Sequence, residues 1–210
     1  MKLGLQGVTV LVSSGDDGVG HGNLCEGKSG KIFDVDYPSS CPYVLSVGST
    51  EWVRFNNSSP VPGEKLMERA TTRFPSGGGF SNVFGIPSYQ RTAVDAYFDE
   101  VDLGFSGYHH YVSDANFSSV TGGVYHHGGR AYPDVGAIGD RQLVYSDPSW
   151  WLVGGTSLST PVWGAMLTLV NEERIAAGKS TVGFIHPVLV SRFPQPPMKT
   201  NRRSEVFNTR

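Results

Sequence analysis

Charge is scarce in this chain: of 210 residues, 17% are Asp, Glu, Lys or Arg, the formal net charge is −2, and no basic block occurs before the C-terminal end. Nothing here would neutralise a phosphate backbone, so no nucleic-acid partner is expected. No apolar run approaches the roughly 20 residues of a membrane-spanning helix, so no membrane partner is expected either. There is no internal repeat. The first residues lack the pattern of a secretory signal peptide. Met1–Gly7 instead read as the last turn of a helix and its glycine C-cap, which predicts a chain that starts inside a larger protein. Cysteine is nearly absent. Cys25 and Cys41 enclose a polar loop, and counting allows either one disulfide or two free thiols. A bridge closing about 15 residues would add roughly 3 kcal/mol in the loop-entropy account. Glycine, by contrast, is abundant, with 27 residues, as suits a loop-rich globular domain with a sizeable core.

Val8–Ser14 is an almost unbroken β-branched run, the pattern of a strand buried on both faces of a parallel sheet. It ends in Ser14-Gly15-Asp16-Asp17-Gly18. In open α/β sheets chemistry lies beyond the carboxyl ends of strands, which places Asp16 well, although Gly-Asp-Asp-Gly is also ordinary turn chemistry. Tyr43–Thr50 is a second apolar strand, and residues 54–73 read as an exposed excursion or hairpin. Asn56, Asn57 and Asn116 head triplets of the N-glycosylation pattern. Ser76-Gly77-Gly78-Gly79-Phe80-Ser81 is a stretch along which a peptide could lie close, or simply a loop. Tyr89–Tyr97 predicts a helix with Ala93, Val94 and Ala96 inward and Asp95 and Asp99 on a solvated face. His109-His110 and His126-His127 do not form a zinc pattern. Gln142–Tyr145 and Trp151–Val153 predict a hairpin around Asp147-Pro148.

The chain converges on Gly154-Gly155-Thr156-Ser157-Leu158-Ser159-Thr160-Pro161, a glycine turn feeding an apolar helix over about Ser159–Ala177 that ends at Gly178. The apolar run after Pro161 predicts a buried helix start, with the proline in the first turn, where its missing N–H costs nothing. Ser157 then sits where unpaired N–H groups and the helix dipole favour negative charge. It can serve there as a nucleophile, or as a plain N-cap.

Ser14-Gly15-Asp16, the Ser76–Ser81 stretch, Tyr132-Pro133-Asp134-Val135 and Gly155–Pro161 stand in the order and spacing of the sedolisin family, the serine-carboxyl peptidases, and most resemble its fungal secreted tripeptidyl-peptidase branch. Subtilisins share the Gly-Thr-Ser stretch but carry Ala where Ser159 stands here. The resemblance covers about residues 1–190. It implies an α/β fold of subtilisin-like type, a mainly parallel sheet flanked by helices and incomplete at both ends. It implies a monomer acting on peptide or protein substrates, with Ser157 as nucleophile, Asp16 as oxyanion-hole side chain, and Ser76, Gly77, Gly78 and Gly79 as substrate-binding backbone. Asp16 must be protonated to donate a hydrogen bond, which acid pH and partial desolvation both favour. The parent is expected to be secreted and to hold calcium.

Two departures accompany the resemblance. The family's base is a glutamate with an aspartate four residues on, and none of the eight glutamates here has that partner. The family's calcium segment is matched only as far as Val206-Phe207-Asn208, and residues 191–210 form a proline-rich basic tail that departs from the family pattern. A chain inactive on its own, from a truncated or mis-spliced product, is therefore expected. A peptide-binding remnant without catalysis is the alternative. A subtilisin-type hydrolase is a third, for which neither His21-Gly22 nor His127-Gly128 stands in a matching context.

Overall fold

Leu45–Arg54 is the strand on which the rest is built. The structure, a computed structural model, describes residues 1–20, 25–54, 66–110 and 115–192. In chain order the elements are α1 (Lys2–Leu5), β1 (Leu11–Ser13), β2 (Cys25–Glu26), β3 (Ile32–Phe33), β4 (Leu45–Arg54), β5 (Leu66–Ala70), β6 (Gly79–Gly85), α2 (Arg91–Glu100), β7 (Ser106–Tyr108), β8 (Val124–His126), β9 (Gly129–Tyr132), β10 (Val135–Ile138), β11 (Gln142–Ser146), β12 (Ser149–Val153), α3 (Thr156–Ala176) and α4 (His186–Arg192). β4 lies between β1 and β10, parallel to both. Leu45, Ser46 and Val47 are wholly buried, as a central parallel strand requires. α3 packs across β1, β4 and β10. This is the parallel sheet with a covering helix that the sequence predicts. β5 returns antiparallel along β4, Thr50 opposite Ala70 and Arg54 opposite Leu66, while residues 55–65 of the expected excursion or hairpin lie outside the described residues.

Several local expectations change. β1 is half-buried, not buried on both faces, because it is paired on one side only and Val8 stays 46% exposed. α2 starts at Arg91, and of its expected inward residues only Val94 is buried, while Ala93 and Ala96 are exposed. Tyr89 lies outside the helix and uses its hydroxyl on the Pro42 carbonyl at 2.8 Å. Asp95 and Asp99 do face solvent. β11 and β12 pair antiparallel around Asp147, which takes the left-handed φ of 49° that the turn needs. Cys25, on β2, and Cys41, in the turn before β4, are both free thiols, so the disulfide alternative is not realised here. Burial and the nearby Asp34 carboxylate push the Cys25 thiol pKa up.

A polar cluster sits inside the packing. Arg130 and Asp134, on either side of the β9–β10 corner, pair at 2.6 Å with both side chains essentially inaccessible. Beneath them His186, 1% exposed, lies 3.9 Å from the Asp134 carboxylate. Burial lowers the imidazole pKa below its usual value, the Asp134 charge offsetting this in part. The folded chain therefore keeps His186 neutral where the unfolded chain takes up a proton. Stability is expected to fall as pH drops below about 6.5, by at most about 1.4 kcal/mol per pH unit. Urea titrations at stepped pH check this. The His186→Asn variant should show a flatter profile over the same range, and an unchanged profile would assign the loss elsewhere.

Candidate active site

The carboxyl end of β1 and the N-terminus of α3 meet at one point. Ser14 is buried and Gly15 turns the chain with φ at 99°, a left-handed conformation that L side chains rarely adopt. A side chain at position 15 would also collide with the Asp36 carboxylate, 1.9 Å from where its Cβ would lie. The turn projects Asp16 towards α3, whose Thr156 N–H donates to Asp16 Oδ1 at 2.8 Å. Thr156 Oγ1 closes the junction, accepting from Gly15 N–H and facing Gly15 O, each at 3.2 Å. Asp16 thereby satisfies one of the free N–H groups at the helix start.

Gly155 is the N-cap of α3, and Ser157 is exposed in its first turn. The Ser157 hydroxyl has no hydrogen-bond partner among the described residues. The space beside Gly155 is bounded by both polar groups in question. A Cβ built there would lie 3.0 Å from Asp16 Oδ2 and 3.8 Å from Ser157 N. A carboxyl oxygen and a helix-start N–H thus flank one small opening next to the serine. Such an arrangement can receive a single oxygen atom that acquires negative charge. Asp16 is exposed, and no described segment covers it.

The helix differs from the expectation in a way that bears on Ser157. α3 begins at Thr156, so Pro161 is its sixth residue and lies in the second turn, not the first. Proline there supplies no N–H to the residue four before it, so the Ser157 carbonyl lacks its usual α-helical donor. Nor is the helix start buried all round. Thr156, Ser159 and Leu167 face the sheet, while Val162, Met166, Leu169 and Val170 are at least 40% exposed. Sheet contact on one stripe accounts for both observations. Gly178, at φ 69°, ends the helix as predicted.

The glycine stretch lies against the Asp16 loop. Gly77 N–H donates to Gly15 O at 2.6 Å, and Gly78 N–H to Gly18 O at 3.1 Å. Ser76 Oγ accepts from Ser49 N–H at 2.8 Å. A Cβ on Gly77 would lie 1.8 Å from the Ser14 carbonyl oxygen, so only glycine allows this approach. Ser76, Gly77 and Gly78 are tied to the Asp16 loop and to β4, and Gly79 opens β6.

Three supports escaped the sequence reading. Ser159, wholly buried, donates to the Ala137 carbonyl of β10 at 2.9 Å and pins α3 to the sheet. Asp140, buried, pairs with Arg73 at 2.6 Å and accepts the Arg141 N–H at 2.8 Å. That pair stands behind Gly154, whose Cβ would fall 2.3 Å from Arg73 Nη2 and 2.5 Å from Asp140 Oδ1. Asp36 backs Gly15 and receives its own support through the N–H bond to Tyr132 Oη at 2.9 Å. Only the Ser-for-Ala difference at 159 carried any signal in the sequence.

None of the described histidines has a hydrogen bond or ring contact in this junction. His126 contacts the Ser81 carbonyl at 2.7 Å, and His127 stacks on Phe98 with ring centroids 4.3 Å apart. No three His, Cys, Asp or Glu side chains gather as a metal site among the described residues. Val206, Phe207 and Asn208, like residues 193–210 of the tail, His21 and the triplets at Asn56 and Asn57, lie outside the described residues. No described helix is long and apolar enough to cross a membrane.

The model of the subtilase family matches residues 3–183. Tripeptidyl-peptidase sed1 of Aspergillus fumigatus is 47% identical over 195 residues, which cover 90% of this chain and 29% of that protein. Aorsin of Aspergillus oryzae is 40% identical over 195 residues with the same coverage, 90% and 29%. Human tripeptidyl-peptidase 1 is 39% identical over 192 residues, again 90% and 29%. The chain thus spans less than a third of the curated relatives it matches. In fold it is similar to Pseudomonas sedolisin, a serine-carboxyl proteinase, with a TM-score of 0.54 and 24% identity, over 91% of this chain and 44% of that one.

Proposed function

We propose, since the chain belongs to the subtilase family and to its sedolisin-type peptidases, that it carries the nucleophile and oxyanion-hole half of an acid serine peptidase. The observation that supports this reading is the opening beside Gly155, flanked by Asp16 Oδ2 and Ser157 N. Ser157 Oγ attacks the scissile carbonyl carbon. The carbonyl oxygen, becoming negative, takes hydrogen bonds from protonated Asp16 and the Ser157 N–H. Both donors belong to fixed elements, so little reorganisation accompanies the charge shift. The backbone of Ser76–Gly79 holds the Asp16 loop and borders the substrate path. The parent protein, on this reading, is secreted and either cleaves peptides internally or removes tripeptides from them, the latter in line with the names of its relatives.

Proton removal from Ser157 needs a base, and no glutamate in the sequence has an aspartate four residues on. The 210-residue chain is therefore expected to show no hydrolysis of an acidic-pH peptide substrate above the uncatalysed rate. Acid-dependent hydrolysis that disappears in Ser157→Ala would show that the chain supplies its own base, and would overturn this part of the reading.

A further inference from the structure

Of the three triplets with the N-glycan acceptor pattern, Asn116-Phe117-Ser118 is the one among the described residues. Its side chains divide between inside and outside. Phe117 turns inward and packs on Tyr108, ring centroids 5.7 Å apart, at the edge of a cluster formed by Ile32, Tyr108 and Val124. Its N–H donates to Ser29 Oγ at 3.2 Å. Asn116 and Ser118, on either side, are exposed. Ser118 N–H donates to Asn116 Oδ1 at 3.0 Å, and the Ser118 hydroxyl donates to the same oxygen. The carbonyl oxygen of the Asn116 amide is thus held against the hydroxyl two residues on, and Asn116 Nδ2 has no hydrogen-bond partner among the described residues.

We propose that Asn116 is an N-glycan attachment site. The proposal rests on the secreted part of the reading above, because the transfer takes place in the secretory compartment. The co-reactant is an oligosaccharide joined through its anomeric carbon to a lipid pyrophosphate. Asn116 Nδ2 attacks that carbon, the C–N bond forms as the C–O bond to the pyrophosphate breaks, and the lipid pyrophosphate leaves with the bonding electrons. One amide proton is lost to a base of the transferase. No oxidant or reductant is required. The acceptor pattern needs a hydroxyl at the third position and a residue other than proline between, and Ser118 and Phe117 meet both conditions. The folded chain accepts the product without rearrangement. Phe117 anchors the segment from within, and the glycan projects from a side chain already in solvent.

The test uses the full chain expressed behind a secretory signal in a eukaryotic host, with a C-terminal acceptor tag as an internal record of translocation. Only secreted molecules whose tag is glycosylated are scored. Trypsin cuts after Arg91 and Arg130, so Asn116 falls in the peptide 92–130, separate from Asn56 and Asn57. That peptide is expected to carry the mass of a glycan. Peptide-N-glycosidase should remove it and leave aspartate at position 116. Asn116→Gln and Ser118→Ala should abolish the modification, and Ser118→Thr should retain it. An unmodified peptide 92–130 beside a glycosylated tag overturns the site. Because the signal is supplied, that result leaves the native route of the parent untouched.

Discussion

Asp134→Ala is expected to lower folding stability by about 3–5 kcal/mol, the cost of leaving a buried charge without its partner. Arg130 and Asp134 are 0% and 1% exposed in their side chains, so the guanidinium left behind could not reach water. The carboxylate is also a junction of the backbone. Its Oδ2 accepts from Arg130 at 2.6 Å and from Ser46 N–H at 2.8 Å, and its Oδ1 accepts from Gln90 at 3.0 Å. Removal unties β4, β9 and the start of β10 together. Urea denaturation of the single variant and of Arg130→Met/Asp134→Leu checks the account. The double variant should lose less than Asp134→Ala, because it leaves no unpaired charge inside. A single-variant loss below about 1 kcal/mol would contradict the pair's structural role. The consequence reaches the candidate site, since β10 supplies the Ala137 and Gly136 carbonyls that receive Ser159 and Trp163 of α3.

Asp16→Ala is expected to weaken the capture of a peptide aldehyde by about 10²–10³-fold, the usual loss on removing one oxyanion-hole donor. An aldehyde suits the purpose because its adduct with Ser157 imitates the tetrahedral intermediate without requiring a leaving group. The variant also loses the acceptor for Thr156 N–H, which adds a stability loss of about 1 kcal/mol, as for an N-cap. Asp16→Asn separates the two effects. The amide keeps an oxygen for Thr156 and supplies an N–H donor at every pH. A carboxyl donates only when protonated, so wild-type capture should decline as pH rises, and capture by Asp16→Asn should stay level. Parallel pH profiles would deny Asp16 the donor role.

Much of the framework is legible in the residues. The apolar run from Tyr43 announces a central strand, the Asp147 turn a hairpin, and Gly178 a helix end, because each depends on neighbours in the chain. The meeting of Ser14-Gly15-Asp16 with Gly155–Pro161 is legible only through the resemblance, since the two segments are far apart in sequence. The apolar residues Val162, Met166, Leu169 and Val170 mark a face, yet nothing in their spacing says what, if anything, covers it. The start of α3 is misplaced by three residues because Gly155 can cap a helix without the side chain that usually announces a cap. Arg73 and Asp140 meet behind Gly154 through tertiary folding alone, and no local pattern identifies them. The Ser76–Gly79 stretch reads as flexible by composition. The Gly77 and Gly78 N–H groups are bound to the Asp16 loop, which only the structure reveals.

On the proposed function, Ser157 forms a covalent bond to a carbonyl carbon, with Asp16 and its own N–H as donors to the oxygen. A peptide aldehyde enriched in ¹³C at the carbonyl, added to the 210-residue chain at acid pH, tests it most directly. A protein-bound hemiacetal carbon signal, absent with Ser157→Ala and much reduced with Asp16→Ala, is the predicted result. Free aldehyde and its hydrate alone, or a bound signal that survives Ser157→Ala, would contradict it.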